Sequence, residues 1–116
     1  MRTIITAQLF GKKLSVPFSE ITHFTSGDKY VSAHYPGGEL ILDEALKRIE
    51  DEFSEYLTRT HRSALVKTHL IVHLVRHIAS KRGEVQLEGV SELIPVSETC
   101  LRRVTDVIEA RRPIAA

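Results

Sequence analysis

The stretch Leu57-Thr58-Arg59-Thr60-His61-Arg62-Ser63-Ala64-Leu65-Val66-Lys67 decides the reading of this chain. Apolar residues flank a polar centre, the pattern of strand, exposed loop, strand. It opens a run from Tyr56 to Gly83 with no Asp or Glu but six Lys or Arg and four His. Just before it, from Glu39 to Glu55, seven acids meet only Lys47 and Arg48. The formal net charge is only +1. The charges are therefore separated rather than accumulated, which points to one acidic face and one basic face.

Size and composition bound the alternatives. The 116 residues form one domain by length, 1–116, long enough to close a hydrophobic core without staples. The tail 112–116 is expected to be loose. The single Cys100 cannot make an internal disulfide, which fits a reducing, cytoplasmic setting. No Asn occurs, so there is no N-glycosylation signal. The N-terminus does not read as a signal peptide, and no apolar run reaches the roughly 20 residues of a membrane span.

Working outward from the opening stretch, the first half reads as a β-meander. Thr3 to Phe10 suits a strand, Gly11-Lys12-Lys13 turns, and Leu14 to Pro17 pairs back as a short edge strand. Ser26-Gly27-Asp28-Lys29 is a strong turn signal before a strand from Tyr30 to Tyr35. Pro36-Gly37-Gly38 turns again into Glu39 to Leu42. Asp43 is the expected N-cap of an amphipathic helix to about Phe53, with Leu46, Ile49 and Phe53 on its buried stripe and Glu44 pairing with Arg48. Beyond the opening stretch, Leu70 to Val75 reads as a buried strand and Ala79 to Gly83 as a basic hairpin turn. Glu84 to Leu87 then alternates with Val85 and Leu87 inward, and Leu93 to Val96 follows. Ser97 is the expected cap of a final helix from about Glu98 to Arg111, striped by Leu101, Val104 and Ile108. Alternating βαβ units are absent, so no parallel sheet is expected.

Several chemistries find little support. His69, His73 and His77 recur every four residues, but the β-rich residues between them would spread the rings along a strand, and neither a Cys partner nor HExxH is present. No metal or other cofactor is expected. His61 neighbours Ser63, yet sequence neighbours do not make a nucleophile and base. Gly-x-Ser-x-Gly and glycine-rich phosphate loops are also missing. The chain does not read as an enzyme. The basic stretch is more informative. Arg59, His61, Arg62, Ser63 and Lys67 supply donors of several geometries to phosphates and base edges. Lys81-Arg82, Arg102-Arg103 and the turn Asp28-Lys29-Tyr30 add to them. Composition alone balances a polyanion site against solvated loop charges.

Four ordered blocks break that balance: Phe24-Thr25-Ser26-Gly27-Asp28-Lys29-Tyr30-Val31; Leu42-Asp43-Glu44-Ala45-Leu46 leading to Phe53; Thr60-His61-Arg62-Ser63-Ala64-Leu65-Val66; and Ile94-Pro95-Val96-Ser97. Together, over roughly Leu14 to Val107, they resemble the LytTR-type DNA-binding domain of bacterial response regulators, in particular its alginate-regulator type. The resemblance implies a mainly β fold, an elongated stack of small antiparallel sheets with a short helix and no helix-turn-helix. It also implies loops that enter successive major grooves of double-stranded DNA and bend it. Two copies would bind paired repeats, as a homodimer on DNA or through a regulatory domain outside this chain, with no membrane partner. The contact segments carried over are Asp28, Lys29 and Tyr30; His61, Arg62 and Ser63; and Thr99, Arg102 and Arg103.

The chain departs from the family pattern at two places. Glu98 and Thr99 stand where many members have basic residues, which shifts the third segment toward Arg102 and Arg103. Lys67 stands where many have Asn, and a point charge discriminates bases less well than an amide. The long final helix also exceeds what the resemblance implies. The expected DNA-binding set is Asp28, Lys29, Tyr30, His61, Arg62, Ser63, Lys67, Lys81, Arg82, Thr99, Arg102 and Arg103. The reading from another class is a small β-rich module binding an acidic protein partner; a histidine-dependent metal hydrolase is a third. RNA is disfavoured because few aromatics are available for stacking.

Overall fold

A computed structural model describes residues 1–9 and 11–111; the expected loose tail 112–116 lies outside the described residues. Among the described residues, ten strands and two α-helices follow in the order β1 (Ile4–Leu9), β2 (Lys12–Pro17), β3 (His23–Ser26), β4 (Val31–Tyr35), β5 (Gly38–Leu42), α1 (Leu46–Glu52), β6 (Leu57–His61), β7 (Ala64–Lys67), β8 (Ile71–His77), β9 (Arg82–Leu87), β10 (Leu93–Val96) and α2 (Glu98–Arg111). They make three antiparallel sheets: β1-β2, β5-β4-β3-β7-β6 and β10-β9-β8. The molecule is elongated, 52 × 34 × 26 Å.

The opening stretch explains this stacking. Successive side chains of a strand point to opposite faces. Leu65 of β7 enters one apolar cluster with Phe24, Phe53, Leu40 and Ile49, against α1 and the first hairpin. Its neighbours Ala64 and Val66 enter a second cluster with Val85, Ile94, Val96 and Val104, against the three-stranded sheet and α2. All four residues of β7 are buried. The strand is a partition between two cores, which is why its apolar run is continuous rather than alternating.

Most elements fall where the sequence places them, and the departures have physical reasons. Helix α1 starts at Leu46 with Ala45 in the cap position and no side-chain cap, so Asp43 is not its N-cap. Glu44 does not serve Arg48; it accepts from Arg2 Nη1 and Nη2 at 2.9 and 2.8 Å. Arg2 also donates to Glu52, and these bonds hold the Glu52 carboxyl below its ordinary range. The expected buried strand β8 is instead the edge of its sheet, with Val72, His73, Arg76 and His77 exposed. Its composition matches a core strand, yet it stands at the sheet edge with Val72 60% exposed. Residues 23–26, whose sequence carries no clear strand pattern, form β3 at the centre of the large sheet. Val85 and Leu87 point inward as expected, and α2 has the length that its periodicity predicts.

Candidate nucleic-acid interface

Two backbone hydrogen bonds assemble the site. Ser26 N–H donates to the Ser63 carbonyl at 2.9 Å, joining the β3–β4 turn to the β6–β7 turn. Ser97 N–H donates to the Thr60 carbonyl at 2.9 Å, joining the start of α2 to the same β6 end. Gly83 pairs with Val96, which brings the base of the β8–β9 hairpin to that end too. All four expected contact segments therefore collect at one end of the stack, where loops carry binding groups on a rigid scaffold.

The turn Gly27–Tyr30 is closed by Gly27 N–H donating to the Tyr30 carbonyl at 2.9 Å. It presents Asp28, Lys29 and Tyr30, all exposed, Tyr30 at 58%. Beside it the β6–β7 turn is braced from within. His61 Nδ1 accepts from Ser63 N–H at 3.2 Å and lies 2.8 Å from Ser63 Oγ. An accepting Nδ1 places the neutral ring's proton on Nε2, which is then a donor for an outside acceptor. Thus His61 orders the loop, and Ser63 is its internal partner. Arg62 is exposed at the tip, and among the described residues its guanidinium has no protein partner. That leaves its donors available to a ligand.

The third segment opens α2. Ser97 precedes the helix, its hydroxyl 3.2 Å from Thr99 Oγ1. Thr99, Arg102 and Arg103 are exposed. Arg102 makes an exposed i,i+4 contact with Asp106 at 3.4 Å, whereas Arg103 leans toward Glu50 at 4.0 Å. Lys81 and Arg82 are exposed at the hairpin. Among the described residues, Lys81 is the one non-glycine with positive φ, 56°, the left-handed region that ends such turns.

Lys67 is a correction. Expected at the DNA surface, it is 3% exposed. Its Nζ donates to the Phe18 carbonyl at 2.6 Å and stands 4.0 Å from the Phe18 ring centroid. Burial pushes its pKa down. It lies at the end of β7 away from the Ser63 turn, and its role is to bind the segment after β2 to β7. The sequence placed it beside the loop without showing how far the strand would carry it.

Two arrangements escaped the sequence reading. From sequence Arg59 reads only as a donor, yet its side chain braces the loop, donating to the Arg62 carbonyl and to Glu50. His23 and His34 stack at 4.2 Å across β3 and β4, a pairing visible only once the register is known. Of the other histidines, His69 lies in the 3-10 turn before β8, and His77 Nε2 is 2.7 Å from Glu84 Oε1.

Residues 11–109 match the family model described as the LytTr DNA-binding domain. This chain belongs to the LytTR family. A curated relative, the positive alginate biosynthesis regulatory protein of Pseudomonas aeruginosa, is 44% identical over 61 residues. The aligned stretch covers 53% of this chain and 25% of that protein. Among solved structures, the LytTr DNA-binding domain of a Bacillus cereus response regulator superposes with a TM-score of 0.80. It covers 93% of this chain and 98% of that one at 18% identity, so this likeness speaks for the fold. The matched family is a DNA-binding domain, and its mainly β architecture is the one that the resemblance of the four sequence blocks implies.

Proposed function

We propose that this LytTR domain binds double-stranded DNA sequence-specifically, as the output module of a cytoplasmic bacterial transcriptional regulator. Its strand-connecting loops enter the major groove. Lys29, Arg102, Lys81 and Arg82 neutralise phosphates and release counterions, which sets orientation and much of the affinity. Arg62, free at the loop tip, reads a base edge, where a bidentate pair discriminates most strongly. His61 Nε2–H and Thr99 donate to phosphate oxygens, while Asp28 and Ser63 shape their turns. Two copies occupy paired repeats. The observation that carries this reading is the pair of bonds, Ser26 to Ser63 and Ser97 to Thr60, that sets three segments side by side.

Selection of bound duplexes from a random pool tests it. The expected product is a motif repeated about one helical turn, roughly 10 base pairs, apart, whose binding survives excess competitor DNA. A pool that stays random, or binding lost to competitor while an acidic polypeptide is retained, overturns the proposal in favour of a protein-interaction module.

A further inference from the structure

The β8–β9 hairpin carries one residue that phosphate contacts leave unexplained. His77 pairs with Arg82 as the last rung, and the turn 78–81 projects beyond it. Ile78 at this tip is 93% exposed, beside exposed Ala79. A lone exposed apolar side chain is ordinary, but this one has an unusual frame. Arg76, Lys81 and Arg82 flank it in the chain, and the nearest acid in sequence, Glu84, is engaged by His77 at 2.7 Å.

The tip is also rigidly mounted. Ser80 N–H donates to the His77 carbonyl at 3.2 Å. Arg76 Nη2 donates to Thr105 Oγ1 of α2 at 2.7 Å. Gly83 lets Leu101 and the two strands close together, since a Cβ there would stand 2.7 Å from the Val75 carbonyl oxygen. A hairpin clamped by α2 at its base holds Ile78 at the same end as the Arg62 loop.

An apolar tip within a cationic frame suits a surface that is anionic at its rim and apolar between. The minor groove is such a surface, with sugars and base edges between two phosphate rows, and apolar wedges there unstack a step and kink the duplex. We propose that Ile78 is a minor-groove wedge, carried into the bound duplex by the β8–β9 hairpin with Lys81 and Arg82 on the flanking phosphates. The proposal rests on the DNA-binding reading above and adds a contact that bends the DNA. An anionic lipid surface has similar chemistry, but the hairpin's place beside the other DNA loops favours the duplex.

The test uses the duplex enriched from the random pool, labelled at both ends for energy transfer, with the wild-type chain, Ile78→Ala, Ile78→Phe and Arg62→Ala. Ile78 is exposed, so its variants should unfold at the wild-type temperature. Ile78→Ala should bind roughly tenfold more weakly, bend the duplex less, and keep the wild-type salt slope. Ile78→Phe should retain the bend. Wild-type affinity and bend in Ile78→Ala, with binding still lost in Arg62→Ala, overturn the wedge and leave the DNA-binding reading standing. Unchanged binding in both variants overturns both. Ile78-dependent binding to phosphatidylglycerol vesicles, with no effect on the duplex, assigns the tip to a membrane and likewise overturns the wedge.

Discussion

Arg59 Nη1 donates to the carbonyl of Arg62 at 2.8 Å, spanning the base of the turn that carries the proposed reading residue. Its Nη2 donates to Glu50 Oε1 at 2.9 Å, so the same guanidinium ties that turn to α1. Both partners are largely shielded, with side-chain exposures of 15% and 22%. Arg59 is thus a positioning residue, and its charge is spent within the protein. Lys cannot reproduce the fork, because an ammonium lacks the planar geometry that serves two acceptors. Arg59→Lys is expected to weaken specific DNA binding by about 1–2 kcal/mol with a smaller loss of stability. Glu50→Gln should weaken it less, and the double variant should fall short of the sum, since both act through one network. A double-mutant cycle on the selected duplex checks this; strict additivity would show that the brace does not act on the loop.

Arg62 and Lys81 are expected to fail differently. Arg62→Ala should lower specific binding by about 1–3 kcal/mol and relax one base position. Lys81→Asn removes a charge while keeping a residue that tolerates the left-handed backbone at φ 56°. It should weaken binding to all sequences alike and reduce the logarithmic salt slope by about 1. Titrations at several salt concentrations against selected and scrambled duplexes separate the two. An unaltered slope in Lys81→Asn would remove Lys81 from the phosphate contacts.

Lys67 should behave as a core residue. Removing its side chain leaves the Phe18 carbonyl without this donor and opens space against the Phe18 ring. Lys67→Ala is expected to destabilise the fold by about 2 kcal/mol, while the salt slope of DNA binding stays at the wild-type value. Denaturant unfolding and salt titration together decide. An unchanged unfolding midpoint with a shallower slope would return Lys67 to the DNA surface.

The fold was legible where one residue type has one physical use. The turn at Gly27-Asp28 and the alternation of Val85 and Leu87 translate directly into structure. So does the stripe Leu46, Ile49, Phe53. Elements set by tertiary partners were not legible. Ile71 to Val75 has core composition, but its exposure depends on whether anything packs beyond β8. Asp43 and Glu44 have the composition of a helix start; Arg2, distant in sequence, recruits Glu44 instead. At the site, the sequence named the loops but did not distinguish an arginine that faces outward from one that faces Glu50. Arg59 and Arg62 differ in this only through the fold.

The His23–His34 pair makes stability depend on pH. His23 is 2% exposed and stacks on His34 with ring centroids 4.2 Å apart. Thr22 Oγ1 donates to the His34 carbonyl at 3.2 Å and lies 2.8 Å from His23 Nδ1. With its one proton so used, the hydroxyl accepts from a neutral Nδ1–H of His23. Burial, and then the charge of a protonated His34, push the His23 pKa from 6.5 to about 4. Burial also lowers His34, partly opposed by Glu39 and Glu92. Between the two His23 values the unfolded chain binds the proton and the folded chain does not, so stability rises with pH across that window. The contribution is full above pH 6.5, declines as pH falls toward about 4, and changes no further below. Its span is on the order of 3 kcal/mol. Urea unfolding at pH 7.5, about 5.5 and about 4.5 should show the wild type losing stability faster than His23→Phe. That variant keeps an aromatic ring in the stack but has no proton to gain. Parallel loss in the two proteins would place the acid sensitivity elsewhere.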